Sequence, residues 1–446
     1  MLLGTQRINS AGHLEIGGCD TVDLANQFGT PLYVLDEATF RSNCRRFREA
    51  CDRVYPKCRI YYASKAFLTL AIARIVDEES LHMDVASLGE LEAALAAPFP
   101  PERLALHGNN KSREELSLAV AARVGHIVVD NFLEIDLLTE IAEEQGAQVD
   151  VMVRTTPGVD PNTHRLIRTG QADTKFGFNI ADGSALRAVK KVLASPRLTF
   201  RGIHCHIGSQ LLDSDTHELA AEIMVGLAKS VIDETGAEIE EINIGGGLGV
   251  RYLESHHPPT YNDFAEQVVG RVLSACEATG VPLPTIALEP GRALVGEAGT
   301  TLYSVGAIKT VPTTTEPGTR TYVAVDGGLS DNPRPQMYGA VYSCILANRA
   351  NEEITDLVTI AGKHCETDIL IWDTRLPAPQ TGDVLAVQTT GAYNFVMASN
   401  YNRFLRPAVV LVADGQADLI VKRETVEDLM RNEVVPARLC AGVASV

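Results

Sequence analysis

Between residues 59 and 290 the chain repeats one pattern. A short apolar run is followed by a polar turn and then by apolar residues at roughly helical spacing. The runs fall at 59–64, 82–86, 104–107, 126–129, 148–154, 199–206, 239–244 and 285–289. Helical spacing fills the gaps, as at 68–79, 88–97, 134–145 and 217–234. Eight strand–helix units in about 250 residues predict a closed parallel β/α barrel of the TIM type. An open doubly wound sheet is the rival, but no G-x-G-x-x-G follows the first run.

After about residue 295 the helical spacing fades. Segments 301–305, 321–325, 369–372 and 384–387 read as strands, and the Thr/Pro-rich stretch 311–319 as a loop between two of them. Gly29-Thr30-Pro31-Leu32-Tyr33-Val34-Leu35 reads as a Pro-led strand lying ahead of the alternating region. The expected organisation is a barrel at 41–295 inserted into a mostly antiparallel β domain, of barrel or sandwich type, built from 1–40 with 296–446.

A barrel places its chemistry at the C-terminal ends of its strands. The polar residues there are Lys65, Asp84 with Ser87, His107-Gly108-Asn109-Asn110, Asp130, Arg154, His206, Gly245-Gly246-Gly247 and Glu289. Period-two alternation sorts the faces. In Ile203-His204-Cys205-His206 the two histidines share one face. In Ile286-Ala287-Leu288-Glu289 the glutamate and the small alanine point into the barrel, and the large residues point toward the helices.

Composition narrows the partners. The 446 residues carry 39 basic and 57 acidic side chains, a net charge of -18, which argues against nucleic acid and anionic membranes. No apolar run is long enough for a membrane span, and the N-terminus lacks a signal-peptide pattern. Nine cysteines, an odd number with no C-x-x-C, predict neither a disulfide framework nor a zinc site. A reducing, cytoplasmic compartment is expected, and no metal.

Several segments carry chemistry. A lone lysine after a strand is ordinarily a surface residue. Lys65 follows Tyr61-Tyr62-Ala63-Ser64 and so projects from a strand end into a cavity, where desolvation is expected to lower its pKa and make it a nucleophile toward an aldehyde. Gly245-Gly246-Gly247-Leu248-Gly249 follows the seventh run, where barrels commonly bind phosphate. Glu289 could pair with a pyridine nitrogen, or simply with Arg292 at the rim. His206 could stack on a flat ring, and Ser209 could bind phosphate; a hydrogen-bonded core histidine is the commoner fate. Arg334, beside Tyr338, could clamp a carboxylate. Cys365 reads either as an inert thiol or as an acid near a cofactor. A lysine and a carboxylate at opposite ends of one barrel are what pyridoxal 5'-phosphate (PLP) requires: the amine for its aldehyde, the acid for its ring nitrogen.

These segments together resemble the fold-type III PLP-dependent decarboxylases over nearly the whole chain. The similarity rests on Gly29-Thr30-Pro31-Leu32-Tyr33, Tyr62-Ala63-Ser64-Lys65-Ala66, His204-Cys205-His206-Ile207-Gly208-Ser209-Gln210, Gly245-Gly246-Gly247-Leu248-Gly249, Glu289-Pro290-Gly291-Arg292 and Ser399-Asn400-Tyr401-Asn402, in the family's order. The resemblance implies a head-to-tail homodimer with shared active sites. It implies that Lys65 binds PLP covalently, that His206 stacks on its ring and that Glu289 meets its nitrogen. Ser209, Gly245, Gly246, Gly247, Gly291, Arg292 and Tyr393, with Asp84 nearby, would complete the cofactor site. Arg292, Arg334, Tyr338 and Tyr393 would bind substrate, Glu366 its distal amino group, and Cys365 would donate a proton from the other subunit.

The branch it resembles most acts on meso-2,6-diaminopimelate, giving L-lysine and CO2. Decarboxylases of ornithine, arginine or carboxynorspermidine, and more remotely a PLP racemase, are the alternatives. One departure stands out. The family usually reads Cys-Glu-Ser-x-Asp where this chain reads Cys365-Glu366-Thr367-Asp368, one residue shorter.

Overall fold

The computed structural model describes residues 2–159, 173–313 and 318–439. Eight strands close into a barrel by parallel pairing alone: Cys58–Ala63, His82–Val85, Leu104–Leu106, His126–Val129, Val149–Thr156, Leu198–His204, Glu241–Asn243 and Thr285–Leu288. The eighth strand pairs with the first, Ile286 opposite Cys58 and Leu288 opposite Ile60, and that pairing completes the ring. Every strand expected from the apolar runs is present, with ends shifted by a residue or two. Helices cover the outside, among them Leu70–Glu78, Leu88–Ala96, Arg113–Ala122, Phe132–Glu144, Asp215–Thr235 and Tyr261–Thr279. Their starts follow local chemistry. Thr69, Ser87 and Asn131 each accept a backbone N–H of the first turn, and Ser112 with Glu115 forms a capping box.

Alternation sorts the strand faces as expected. Ile286 and Leu288 join the large core between barrel and helices, whereas Ala287 packs with Tyr61 and Ala105 in a small separate cluster.

The second layer is a nine-stranded sheet, mostly antiparallel. Its long strand Gly299–Pro312 pairs antiparallel with Thr319–Val325, Val384–Gln388 and Leu32–Asp36. Two pairings are parallel: Leu32–Asp36 with Ala408–Ala413, and Thr319–Val325 with Asp356–Ala361. The early strand therefore sits inside a sheet otherwise made by the C-terminal part of the chain. Asp36 ends it and caps the helix Glu37–Val54, accepting the Thr39 N–H at 3.1 Å. No described helix is long and apolar enough to cross a membrane.

One buried ion pair fixes the barrel's upper edge. Lys111, just beyond the third strand, lies 2.6 Å from Glu134 of the helix Phe132–Glu144, and both are buried. Its ammonium also donates to the carbonyls of Gly108 and Val128, each at 2.7 Å. Removing one partner strands the other charge in the interior. Lys111→Met is expected to destabilise the protein by roughly 3–5 kcal/mol, and Lys111→Met with Glu134→Leu by much less. Denaturant unfolding of the two variants checks this.

Candidate active site

The closure of the barrel builds the site. Ala63 N–H donates to the Pro290 carbonyl at 3.2 Å, joining the ends of the first and eighth strands. The turn Ser64–Ala66 follows, its Ser64 N–H bound to Asp84 Oδ1 at 3.1 Å. Lys65 is thereby aimed into a cavity that His206, Ser209, Gly247, Glu289, Gly291, Arg292 and Tyr393 also line. Its Nζ is 3.8 Å from Asp84 Oδ2, and the side chain keeps 41% of its surface accessible.

The expectation of a lowered Lys65 pKa is corrected. Burial works in that direction, but Asp84, Tyr393 and Glu289 outweigh it and hold the ammonium above its usual range. Burial pushes Asp84 up to about 7, against the pull of Lys65.

Glu289 is the most heavily partnered group. Asn243 Nδ2 donates to its Oε1 at 2.8 Å. His204 Nε2 lies 3.1 Å, and His107 Nε2 3.3 Å, from the same oxygen. Burial alone would raise this carboxyl, but His204, His107 and the more distant Lys65 hold it well below the carboxylate range. Arg292 does not pair with it. Its guanidinium instead donates to Tyr252 Oη at 2.5 Å and Ser209 Oγ at 3.0 Å.

The glycine loop is shaped by close approach. Gly245 N–H is taken by Asn243 Oδ1 at 2.8 Å, and Gly246 N–H by His206 Nδ1 at 3.2 Å. What these two residues allow is close packing of the neighbouring strand ends. A Cβ on Gly246 would stand 2.1 Å from the Glu289 carbonyl oxygen, and one on Gly245 2.4 Å from that of Cys205. His206, just past the sixth strand, is kept neutral mainly by burial. From the β domain, Tyr393 hangs on the Lys65 turn through its N–H, 2.8 Å from the Ala66 carbonyl. The Arg292 and Arg334 guanidinium carbons lie 4.8 and 5.5 Å from its ring, and Arg334 is 5.3 Å from that of Tyr338. The Nε of each arginine is buried without a hydrogen-bond partner.

Most of the residues named from sequence therefore meet at one barrel mouth. Cys365 and Glu366 do not join them. They occupy an exposed loop of the β domain, where Cys365 N–H donates to Asn402 Oδ1 at 2.9 Å and Glu366 accepts from Tyr401 Oη at 2.7 Å. Sequence reading passed over Asn243, His107 and His204 as partners of Glu289. Period-two parity marks Asn243 and His204 as inward, but nothing short of the fold aims them at one carboxylate. Tyr252 lies in an irregular segment with no periodicity to read.

The donor set fits PLP. A partly accessible amine and an ionised buried carboxylate share the cavity, and a hydroxyl bonded to a guanidinium lies at one side. Comparisons with known proteins agree. Residues 37–296 match the family described as pyridoxal-dependent decarboxylase, pyridoxal binding domain. The chain is 49% identical to diaminopimelate decarboxylase of Bacillus subtilis, over 96% of this chain and 97% of that one. It is 46% identical to the Synechocystis enzyme of the same name, over 98% and 93%. Among solved structures, diaminopimelate decarboxylase from M. jannaschii in co-complex with L-lysine superposes with a TM-score of 0.91 at 36% identity, covering 98% of this chain and all (100%) of that one. A lysine/ornithine decarboxylase from Vibrio vulnificus, at 20% identity and TM-score 0.73 over 88% and 97% of the two chains, shares the fold.

Behind the glycine loop, His217 Nε2 donates to the Gly246 carbonyl at 3.1 Å, and burial lowers its pKa to about 4. The unfolded chain, with histidine near 6.5, binds the extra proton first on acidification. The His217 contribution to stability is present above about pH 6.5 and lost as pH falls toward 4. His217→Gln is expected to flatten that acid limb, read from denaturation midpoints between pH 4 and 7.

Proposed function

The chain belongs to the pyridoxal-dependent decarboxylases, and we propose from its site how it turns meso-2,6-diaminopimelate into L-lysine and CO2. The reading is carried by one observation. A lysine amine and an ionised carboxylate share the mouth of a barrel whose relatives at 45–49% identity are diaminopimelate decarboxylases.

PLP is the cofactor, and when bound it supplies the sink for the electron pair that a departing carboxylate leaves behind. Lys65 anchors the cofactor aldehyde, with Asp84 orienting the amine. Glu289, held ionised by its neighbours, keeps a proton on the ring nitrogen. His206 offers a flat, neutral face for stacking. Ser209, the turn Gly245-Gly246-Gly247, Gly291, Arg292 and Tyr393 would hold the phosphate. Arg334 and Tyr338, with Arg292 and Tyr393, bind the substrate's distal carboxylate, for which a guanidinium is the suited donor.

Cys365 and Glu366 act in the site of a second copy. Their exposed loop, separate from the chain's own cavity, supports that assignment. Cys365 donates the proton to carbon and Glu366 receives the distal ammonium. The working unit is thus a homodimer in which 41–295 holds the cofactor, and 1–40 with 296–446 supplies substrate and interface residues. Free cysteines on an acidic chain suit the cytoplasm.

Purified protein with PLP is expected to release CO2 and L-lysine from meso-diaminopimelate, and no CO2 from ornithine, arginine or carboxynorspermidine. Isomerised substrate without CO2 would make it a racemase. Lys65→Ala is expected to abolish the visible band of the bound cofactor; an intact band removes Lys65 as the anchor. Mixing inactive Lys65→Ala protein with strongly impaired but still measurable Cys365→Ala protein is expected to restore up to about a quarter of wild-type activity if sites are shared across a two-fold dimer.

A further inference from the structure

The loop that carries Cys365 and Glu366 closes around a buried pair, His364 and Asp368. It joins Asp356–Ala361 to Ile369–Leu376. Asp368, at its end, sits in the left-handed region with φ +43. Its Oδ2 meets His364 Nδ1 at 2.6 Å and accepts the His364 N–H at 3.0 Å. Its Oδ1 accepts the Leu329 N–H at 2.8 Å, and its carbonyl accepts Gly362 N–H at 2.7 Å. One aspartate thus ties the loop to itself and to the neighbouring segment 327–331.

The histidine's proton is placed by geometry. Nε2 accepts the Ser330 N–H at 3.2 Å, so it carries the lone pair, and Nδ1 holds the hydrogen donated to Asp368. There is no space for a larger neighbour. A Cβ on Gly362 or Gly328 would lie 2.0 or 2.3 Å from Asp368 Oδ2.

From this buried pair two contacts reach outward. The His364 ring is parallel to Tyr401, with centroids 5.9 Å apart, and Tyr401 Oη donates to Glu366 at 2.7 Å. Phe404 meets the imidazole edge-on at 4.7 Å. Cys365 N–H is held by Asn402, in the same segment as Tyr401. Both exposed residues therefore take their positions from a platform that starts at His364 and Asp368.

We propose that His364 and Asp368 are positioning residues that set Cys365 and Glu366 for use in a second copy's site. This rests on the roles given to Cys365 and Glu366 above. The mechanism does not otherwise use the pair, which touches none of the residues lining the Lys65 cavity.

The test is a double-mutant cycle with the PLP-loaded dimer. His364→Ala is expected to lower kcat/KM about tenfold or more, lowering kcat through Cys365 and raising KM through Glu366. The cofactor band and the oligomer mass are expected to stay unchanged. In a Cys365→Ala/Glu366→Gln background the same change is expected to cost less than about twofold. His364→Asn, whose amide can stand where Nδ1–H does, is expected to recover part of the loss. Hydrogen exchange of amides 362–368 is expected to quicken about tenfold in His364→Ala and Asp368→Asn. Equal losses in both backgrounds, or unchanged exchange, would overturn the proposal. If Cys365→Ala and Glu366→Gln themselves keep wild-type kinetics, the roles of those two fall, and exchange alone decides whether the pair anchors the loop.

Discussion

The pairing of the eighth barrel strand with the first is the contact on which the site depends. Lys65 and Glu289 are remote in sequence, and only that closure makes their strands neighbours. The Ala63–Pro290 hydrogen bond sets how the two ends leave the ring, and Gly291 lets them come this close. A Cβ on Gly291 would lie 2.9 Å from that of Ala63. An open sheet of the same strands would leave the amine and the acid on opposite edges.

Closure also concentrates charge in a place with little water. Lys65, Asp84 and Glu289 converge at one mouth, and Arg154 and Asp130 lie 3.7 Å apart in the same ring of strand ends. Leaving such groups unpaired in the interior costs several kcal/mol each. The structure offsets this by giving each a partner of opposite sign or a dipole. Glu289 is the clearest case, since its ionised state is held by an amide and two imidazoles. The resting lysine is correspondingly a cation. Its nucleophilic form requires a proton to leave Nζ, and Asp84 is the acceptor nearest to it.

Much of this architecture is legible in the sequence because a barrel is a local repeat. Each apolar run declares its own strand, and parity sorts inward from outward residues, as Ala287 and Ile286 demonstrate. The motif residues at strand ends follow from the same logic. What the sequence does not reveal is non-local. The pKa of Lys65 depends on Asp84, Tyr393 and Glu289, which come from three other parts of the chain. The glycine run after the seventh strand reads as a phosphate turn, but only the fold shows that Asn243 and His206 take the N–H groups of Gly245 and Gly246. At Cys365 only the structure supplies the His364–Asp368 pair that closes the loop.

The strand Leu32–Asp36 has a further implication for how the chain is made. It is flanked by Gly299–Leu302 on one side and Ala408–Val412 on the other. On the ribosome it emerges before the barrel, whereas one neighbour follows directly after the barrel and the other only after the rest of the β domain. The barrel can close first, as a unit of largely local contacts, while an apolar strand waits with both edges bare. That interval exposes the nascent protein to mispairing with other chains, and it ends in two steps as 299–302 and then 408–412 arrive to shelter the strand.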